Sequence, residues 1–282
     1  MKFYIIPNMT RANAFDITKS LLAKISEFGS TAVLNNSLKN VFGEVTGVSY
    51  CGEAELGNCD AVISVGGDGS FINAAKKATQ ADKPLICVNA GKLAYLACIE
   101  SNELELIGEF IKGNYITEKR MLLDVSIIDK NCKILYHSYC VNDAVVSRSG
   151  AIRIMKLSIS CNGAPLIQYM ADGAIVSTPT GSTAYSLSAG GPVIEPSVES
   201  ILLTPVCPHS VFSRSVVLGG DSLLEITHDN SGEAILSCDG QEAVIIPEGA
   251  VVKITKSDKC SSFVKIKGDT FIEILNKKFQ GK

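Results

Sequence analysis

The hydrophobic pattern of this chain changes near residue 120, and this change constrains the fold more than any other feature. Before it, short apolar runs such as Lys2–Pro7, Ala61–Val65 and Pro84–Val88 alternate with segments of helical spacing. Strands that alternate with helices predict an open parallel sheet with right-handed crossovers. We therefore predict a Rossmann-like α/β domain over residues 1–119.

The sequence after residue 120 consists mostly of predicted strands. These are Leu122–Ile128, Lys133–Cys140, Ile152–Cys161, Ala174–Ser177, Glu233–Ser237 and Ala243–Ile246. Alternation of polar and apolar residues is typical of strands with one face in a core, and Asp239-Gly240 between two of the runs is a hairpin signal. We expect a β-sandwich-like all-β domain over residues 120–262. Residues 263–282 return to helical spacing and are expected to complete the first domain.

The composition is that of a soluble globular protein and disfavours several classes of function. Of 282 residues, 46% are hydrophobic and 20% are charged, and the net charge of -3 gives no sign of a nucleic-acid partner. The apolar stretch Phe3–Ile6 is too short for a signal peptide, and the uncharged run Gly173–Ile194 is too polar to span a membrane. Ten cysteines occur without a CxxC pair and with only three histidines. This pattern disfavours zinc sites and indicates reduced, mostly buried thiols in a cytoplasmic protein.

The first functional motif is Gly66-Gly67-Asp68-Gly69, which follows an apolar strand and precedes a helix that begins near Ser70. Glycine turns at helix N-termini leave backbone N–H groups accessible to phosphate. An aspartate in such a turn repels phosphate unless it accepts a proton from an attacking hydroxyl or holds Mg²⁺. In the alternative interpretation, Asp68 only caps the helix. The two commoner nucleotide motifs, GxGxxG and the P-loop, do not occur in the sequence.

Two further motifs lie in the second half. The segment Ala171–Pro196 is dense in small hydroxyl residues and glycine and contains one tyrosine, a mixture that can bind ribose, phosphate or an adenine edge. The alternative is a polar surface loop, although such a loop would be expected to carry more Lys, Glu and Asp. Asn142-Asp143 places an amide beside a carboxylate, which can bind a ribose diol. Alone, this dipeptide is more typical of a turn or bulge.

Together these motifs resemble the NAD kinase family. The similar stretches follow the order of the family and are Gly66–Ser70, Asn89–Leu96, Asn142-Asp143, Asp172–Pro192, Thr204–Ser210 and Asp239–Gln241. The glycine motif alone is shared with diacylglycerol-type lipid kinases and 6-phosphofructokinases, whereas the Ser/Thr-rich run is far more specific. The resemblance implies transfer of a phosphoryl group from ATP, or from polyphosphate in some members, to the 2′-hydroxyl of the adenosine ribose of NAD, which gives NADP.

The resemblance also implies roles for individual residues. Asp68 would be the base for the ribose hydroxyl, and the phosphate loop would consist of Gly66, Gly67, Gly69 and Ser70. The implied NAD-binding residues are Asp68, Gly69, Asn142, Asp143, Arg153, Met170, Asp172, Thr183, Ala184, Tyr185, Ser186, Leu187, Ser188 and Gln241. Mg²⁺ or another divalent cation would arrive with ATP, without a dedicated metal site in the protein. The chain would form a homodimer or homotetramer.

The chain departs from the family pattern at four places, two of which are Ala94-Tyr95 in place of Gly-Phe and Ser215 in place of proline. Asp143 replaces the usual glutamate, which shortens the side chain by one methylene. Met170 stands where many members carry Arg or Lys, and Arg153 is the cation that would compensate. Two alternatives to an NAD kinase remain. One is a lipid kinase with the same glycine motif, and the other is a non-catalytic dinucleotide-binding sensor, which would gain nothing from a carboxylate beside phosphates.

Overall fold

The computed structural model describes residues 1–91, 94–150, 154–209, 213–229 and 232–279, and the chain divides into two compact units, Met1–Lys119 with Ser261–Lys282, and Arg120–Cys260. The strands are β1 (Lys2–Pro7), β2 (Thr31–Asn35), β3 (Val48–Cys51), β4 (Ala61–Gly66), β5 (Leu85–Asn89), β6 (Ile116–Ile128), β7 (Ile134–Cys140), β8 (Asp143–Arg148), β9 (Met155–Cys161), β10 (Ala164–Ala171), β11 (Gly173–Ser177), β12 (Ser200–Val206), β13 (Val216–Gly219), β14 (Leu224–His228), β15 (Ala234–Cys238), β16 (Val244–Ile246) and β17 (Val251–Lys265). The helices are α1 (Ala14–Glu27), α2 (Lys39–Phe42), α3 (Asp68–Gln80), α4 (Ile107–Ile111), α5 (Tyr185–Ser188) and α6 (Phe271–Phe279). Within the described ranges, none of these helices has the length and apolar character needed to cross a bilayer.

The first unit is built on a parallel sheet with the strand order β5-β4-β1-β2-β3. β4 and β5 are buried along their whole length, as expected for parallel strands that are covered on both faces. The end of β17 adds a parallel pairing of Phe263 with Leu85. This sheet confirms the predicted Rossmann-like α/β fold. The edge strand β3 was not predicted.

Helix α1 shows how residue spacing sets the packing of this unit. Leu21, Leu22 and Ile25 are buried in the core, because residues three and four apart share one helix face. Gly29 follows the helix with a φ of 66°, a conformation that glycine adopts without steric cost. The Ser30 amide then donates to the carbonyl of Ile25, so the helix ends at this glycine.

The second unit is a sandwich of two antiparallel sheets. One has the order β13-β12-β11-β8-β15-β16, and the other contains β10-β9-β14-β17 together with the β6-β7 hairpin. Both sheets contribute to one core, whose members include Leu123, Val146, Leu157, Leu203 and Ile254. The β-sandwich-like prediction for this part of the chain is confirmed.

Individual strands differ from the prediction in number and in their boundaries. The predicted strand Ile152–Cys161 begins at Met155, and residues 151–153 lie outside the described ranges. Asp239 and Gly240 have φ values of 54° and 66° and connect β15 to antiparallel β16. Two successive positive φ angles are typical of a tight hairpin turn, so the predicted hairpin is confirmed. The sequence did not predict β8, β10, β12, β13, β14 or β17.

All ten cysteines lie in the described part of the chain and carry free thiols. Four are buried and three are half-buried, and the exposed ones are Cys132, Cys207 and Cys260. The expectation of mostly buried cysteines is therefore only partly correct.

Candidate active site

Three parallel strands of the first unit end side by side, and a polar segment lies at the end of each. β1, β4 and β5 are neighbours in the sheet. Asn8 follows β1, Gly67-Asp68 follows β4, and Asn89 is the last residue of β5. Because open α/β sheets bind ligands at the carboxyl ends of their strands, this edge is the candidate site of the first unit.

The turn after β4 is tight enough to require glycine. A Cβ on Gly66 would lie 2.5 Å from Oγ of Ser70 and 3.3 Å from Cβ of Asn8. Nδ2 of Asn8 donates to the same Oγ at 2.8 Å, so the segment after β1 is tied to the first turn of α3. Helix α3 begins at Asp68, and the N–H groups and dipole of its first turn favour an anion here.

Backbone amides orient the half-buried Asp68 carboxylate. Its Oδ1 accepts the N–H groups of Tyr95 at 2.8 Å and Leu96 at 2.9 Å, and its Oδ2 accepts that of Tyr95 at 3.1 Å. Asp68 is the first residue of α3, and no side-chain cap bond is made at the preceding Gly67. The interpretation of Asp68 as a simple helix cap is therefore wrong. Its carboxylate is held in one orientation with lone pairs left on both oxygens.

Asn89 and helix α6 fix the segment that carries these two amides. The Asn89 side chain is 2% exposed, and its Oδ1 accepts the amide of Gly91 at 2.8 Å while its Nδ2 donates to Glu100 at 2.8 Å. The Tyr95 ring packs edge-on against Phe271 of α6, with 6.5 Å between the ring centroids. The backbone that orients Asp68 is thus held by a buried amide and by the C-terminal helix.

In the second unit, the Asp239 carboxylate accepts three consecutive backbone amides. The Val141 N–H donates to Oδ2 at 2.9 Å, and the N–H groups of Asn142 and Asp143 donate to Oδ1 at 2.7 and 3.1 Å. Bonds to a charged acceptor are stronger than bonds between neutral groups. The Asn142-Asp143 segment is thereby fixed, with Asn142 half-buried and Asp143 5% exposed.

The hydroxyl-rich segment packs directly on Asn142. The Thr178 amide donates to the Asn142 carbonyl at 2.8 Å, and Oγ1 of Thr178 donates to the Val141 carbonyl at 2.6 Å. The Gly181 amide donates to Oγ1 of Thr178 at 3.0 Å, and a Cβ on Gly181 would lie 2.1 Å from the Asn142 carbonyl oxygen. The structure therefore joins two motifs that are distant in the sequence.

Several hydroxyls of the predicted binding segment point inward. Ser182 and Thr183 donate to backbone carbonyls three residues earlier, at 2.6 and 3.2 Å. The Ser186 Oγ lies 2.9 Å from Oγ1 of Thr204, and all four of these residues are buried. Their hydroxyls stabilise the shape of the segment, because buried polar groups need hydrogen-bond partners.

The outer side of the same segment is formed by four residues around α5. Tyr185 is 45% exposed and Ser188 is also exposed, whereas Ala184 and Leu187 are half-buried. The expected cradle of hydroxyl groups therefore presents a phenol ring, one serine and backbone on this side.

Asp172 forms an ion pair that the sequence did not predict. Nε of Arg148 donates to its Oδ1 at 2.8 Å. This hydrogen bond and the charges of Arg148 and His209 lower the pKa of Asp172 from its ordinary value. Met170 is 50% exposed, and its carbonyl accepts the His209 amide at 2.6 Å. The cation beside Asp172 is therefore Arg148, and Arg153, the expected compensating cation, lies outside the described residues.

This ion pair predicts a component of stability that is lost in acid. Because the folded-state pKa of Asp172 lies below its ordinary value of 3.8, the stabilisation is present above pH 3.8 and disappears as the pH falls through the lowered pKa. We expect the urea midpoint of the wild type to fall further between about pH 5 and pH 3 than that of Arg148→Ala. The difference is small because the Asp172 side chain is 34% exposed. Equal falls in the two proteins would contradict the pairing.

Three contacts at these sites were missed at the sequence level. Arg11 is exposed, and its Nη2 lies 3.5 Å from where a Cβ on Gly67 would stand. Arg11 follows β1, and β1 ends at the same edge of the sheet as the glycine turn. This position in the predicted sheet is the signal that could have identified Arg11. Arg148 ends β8 and Asp239 precedes a glycine, but nothing local to either residue indicates its partner.

Gln241 is exposed beyond the turn, and its carbonyl accepts the Ser237 hydroxyl at 2.8 Å.

Known proteins resemble this chain along nearly its whole length. A family model described as the ATP-NAD kinase N-terminal domain matches residues 5–115, and one described as the ATP-NAD kinase C-terminal domain matches residues 141–266. The NAD kinase of Caldanaerobacter subterraneus subsp. tengcongensis is 34% identical over 280 residues, which is 98% of each chain. The NAD kinase of Acetivibrio thermocellus is 35% identical over 282 residues, which is 99% of this chain and 96% of its own.

Two solved structures share the fold. Yeast NADH kinase complexed with NADH has a TM-score of 0.91 at 23% identity, covering 99% of this chain and 87% of its own. An NAD kinase from Archaeoglobus fulgidus in complex with ATP has a TM-score of 0.76 at 23% identity, covering 100% of both chains. At this identity the likeness establishes the fold alone.

Proposed function

This chain belongs to the NAD kinase family, and on that premise we propose how its residues transfer a phosphoryl group from ATP to the 2′-hydroxyl of the adenosine ribose of NAD. That it is a kinase acting on NAD follows from relatives that are 34% and 35% identical over almost the full chain. The observation that carries the assignment of residues is the Asp68 carboxylate, which two backbone amides hold at the glycine turn after β4.

Asp68 is the general base in this proposal. A ribose hydroxyl is a poor nucleophile, and a carboxylate within hydrogen-bond reach takes its proton as the new O–P bond forms. The bonds from Tyr95 and Leu96 orient the carboxylate before substrate arrives. General-base assistance contributes about 10²–10⁴-fold, so the remaining acceleration comes from positioning and from neutralisation of phosphate charge.

The glycine turn is the proposed phosphate loop. Gly69 has no atom within 4 Å of a Cβ built on it, and it is exposed, so its backbone is open to a ligand. Gly66 and Ser70 set the shape of the turn through their close approach. The N–H groups at the start of α3 would face the phosphates of the donor.

A divalent cation, Mg²⁺ or another, would come with ATP. Across the described residues, no group of three or more His, Cys, Asp or Glu side chains is arranged to hold a metal ion. Mg²⁺ that accompanies a nucleotide takes most of its ligands from phosphate and water and few from protein, and the one carboxylate at the glycine turn, Asp68, suits this mode of binding. Asp68 is the carboxylate of the phosphate loop that could serve as such a ligand. When bound, the cation offsets negative charge on the transferred phosphoryl group.

The second unit supplies the proposed NAD-binding residues. Asn142 and Asp143 would hold a ribose diol, because the Asp239 carboxylate fixes their backbone. Tyr185 would offer its exposed ring to a base. The other members of the set are Asp172, Met170, Arg153, Gln241 and the remaining residues of Thr183–Ser188. Since Thr183 and Ser186 are buried, we assign their contribution to the shape and backbone of the segment.

The ligands bound in two solved structures of the same fold support a dinucleotide and ATP as the two substrates. The yeast protein of the same fold was solved with NADH and the archaeal one with ATP. We further propose that the chain forms a homodimer or homotetramer. We also propose a cytoplasmic location, because ten free thiols are typical of a reducing compartment. A mass measurement in solution tests the oligomeric state.

The proposed reaction is tested by incubating the protein with NAD, ATP and Mg²⁺ and assaying NADP with an NADP-specific dehydrogenase. This coupling enzyme responds to phosphate on the 2′-oxygen, so it reports the position as well as the transfer. We expect NADP to accumulate in proportion to protein. Phosphorylation of diacylglycerol alone would instead identify a lipid kinase, and binding of NAD without turnover would identify a sensor.

A further inference from the structure

Arg11 lies against the proposed phosphate loop, although it belongs to a different part of the sequence. It is exposed, and its Nη2 lies 3.5 Å from the position that a Cβ on Gly67 would occupy. Gly67 is buried and has no side chain, so the guanidinium group lies next to bare backbone. Gly67 also immediately precedes Asp68, the proposed base.

Hydrogen bonds hold the Arg11 segment in this position. The Asn8 amide donates to the Val65 carbonyl at 2.8 Å, and its Nδ2 donates to Oγ of Ser70 at 2.8 Å. Oδ1 of Asn8 accepts the Thr10 amide at 3.1 Å, and the Arg11 amide donates to the Asn8 carbonyl at 3.0 Å. The backbone from Asn8 to Arg11 is thus a turn fixed to both β4 and the first turn of α3.

The exposed guanidinium group of Arg11 takes part in none of the ion pairs found over the described ranges. The Asp68 carboxylate is directed to the amides of Tyr95 and Leu96. A guanidinium group beside an open glycine turn and a helix N-terminus forms an environment that favours phosphate, because its planar donors bind phosphate oxygens in pairs.

We propose that Arg11 binds the terminal phosphates of the donor and offsets charge on the phosphoryl group in transfer, an inference that rests on the proposed function. In that step the ribose 2′-oxygen forms a bond to the terminal phosphorus and its proton passes to Asp68. The bond between that phosphorus and the bridging oxygen breaks, and ADP leaves with the electron pair. Arg11 exchanges no proton. The phosphoryl group must lie beside the oxygen that Asp68 deprotonates, so a phosphate bound next to Gly67 would be the donor's.

The first test is the Arg11→Ala variant. We expect kcat/KM for ATP to fall about 10–100-fold, the effect of losing a charge-assisted hydrogen bond, while KM for NAD stays within about twofold. Without NAD present, calorimetric affinity should fall most for ATP, less for ADP and not at all for AMP. Arg11→Lys should recover part of the loss, because lysine keeps the charge and lacks the planar fork.

Lys19→Ala is the matched control. Lys19 is an exposed cation on α1, and its removal changes the net charge of the protein by the same amount. We expect this variant to retain wild-type kinetics, and both variants to keep the wild-type unfolding temperature because both side chains are exposed.

Two results would overturn the assignment of Arg11. One is wild-type kcat/KM for ATP in Arg11→Ala, and the other is a loss confined to NAD affinity, which would place Arg11 on the pyrophosphate of the acceptor. These outcomes are distinct from failure of the proposed function. If Asp68→Asn keeps its wild-type kcat while Arg11→Ala loses ATP affinity, the base is misassigned and the phosphate site stands.

Discussion

Asp68→Asn is expected to lower kcat about 10²–10⁴-fold while NAD affinity stays within about twofold. The amide has the shape of the carboxylate, and its Oδ1 can still accept the N–H groups of Tyr95 and Leu96 that the native Oδ1 accepts. The glycine turn should therefore keep its conformation. An amide cannot take the proton of the ribose hydroxyl, so the loss falls on the chemical step. Steady-state kinetics of NADP formation and calorimetric titration with NAD measure the two quantities separately.

Asp60→Asn provides the matched control for this prediction. Asp60 directly precedes β4 at the amino end of the strand, and its Oδ2 accepts the Lys2 amide at 2.7 Å. The same chemical change is thus made at the opposite end of the same strand, again at a carboxylate that accepts a backbone amide. We expect its kcat to equal that of the wild type. An Asp68→Asn enzyme as fast as Asp60→Asn would show that Asp68 is not the base.

Burial on both faces left a continuous apolar signal in two strands of the first unit, and there the prediction succeeded. β4 and β5 carry such runs and were predicted within one residue of their observed boundaries. β17 was missed because its sequence contains a polar stretch, yet Ser257 and Ser261 within it are buried at 5% and 0% exposure. β17 pairs with β6, β14 and β5, and a local hydrophobic pattern does not show which strands will become neighbours.

Some features of the candidate site likewise have a local cause in the sequence, whereas others depend on contacts between distant residues. The glycine turn could be predicted because its cause is local. Gly66 and Ser70 lie within five consecutive residues, and their close approach leaves no room for a Cβ on Gly66. The sequence showed that Ala171–Pro196 is rich in hydroxyls, but it did not show that Ser182, Thr183 and Ser186 bond inward. The Asp239 carboxylate accepts amides about a hundred residues away in the chain. A contact of this kind exists only after β15 has paired with β8, its neighbour in the same sheet.

Gly181→Ala is expected to destabilise the second unit by about 1–3 kcal/mol, the usual cost of adding a methyl group to a packed interior. Its Cβ would lie 2.1 Å from the carbonyl oxygen of Asn142, 2.5 Å from its carbonyl carbon and 2.7 Å from its Cα. All three are backbone atoms, so no side-chain rotation relieves the overlap, and either Asn142 or the hydroxyl-rich segment must move. Since both belong to the proposed NAD site, we expect kcat/KM for NAD to fall about tenfold or more, because a misplacement near 1 Å costs up to about 10²-fold in rate.

Gly219→Ala separates this steric effect from the general effect of replacing glycine. Gly219 ends β13 in the same unit, and a Cβ built on it has no atom within 4 Å. Both substitutions reduce the conformational entropy of the unfolded chain, so only the contact with Asn142 distinguishes them. We expect Gly219→Ala to unfold at the urea concentration of the wild type or above it and to bind NAD normally. If Gly181→Ala unfolds at the same urea concentration as Gly219→Ala, then the two motifs do not pack as closely in solution as the structure has them, and the close contact between Gly181 and Asn142 is wrong.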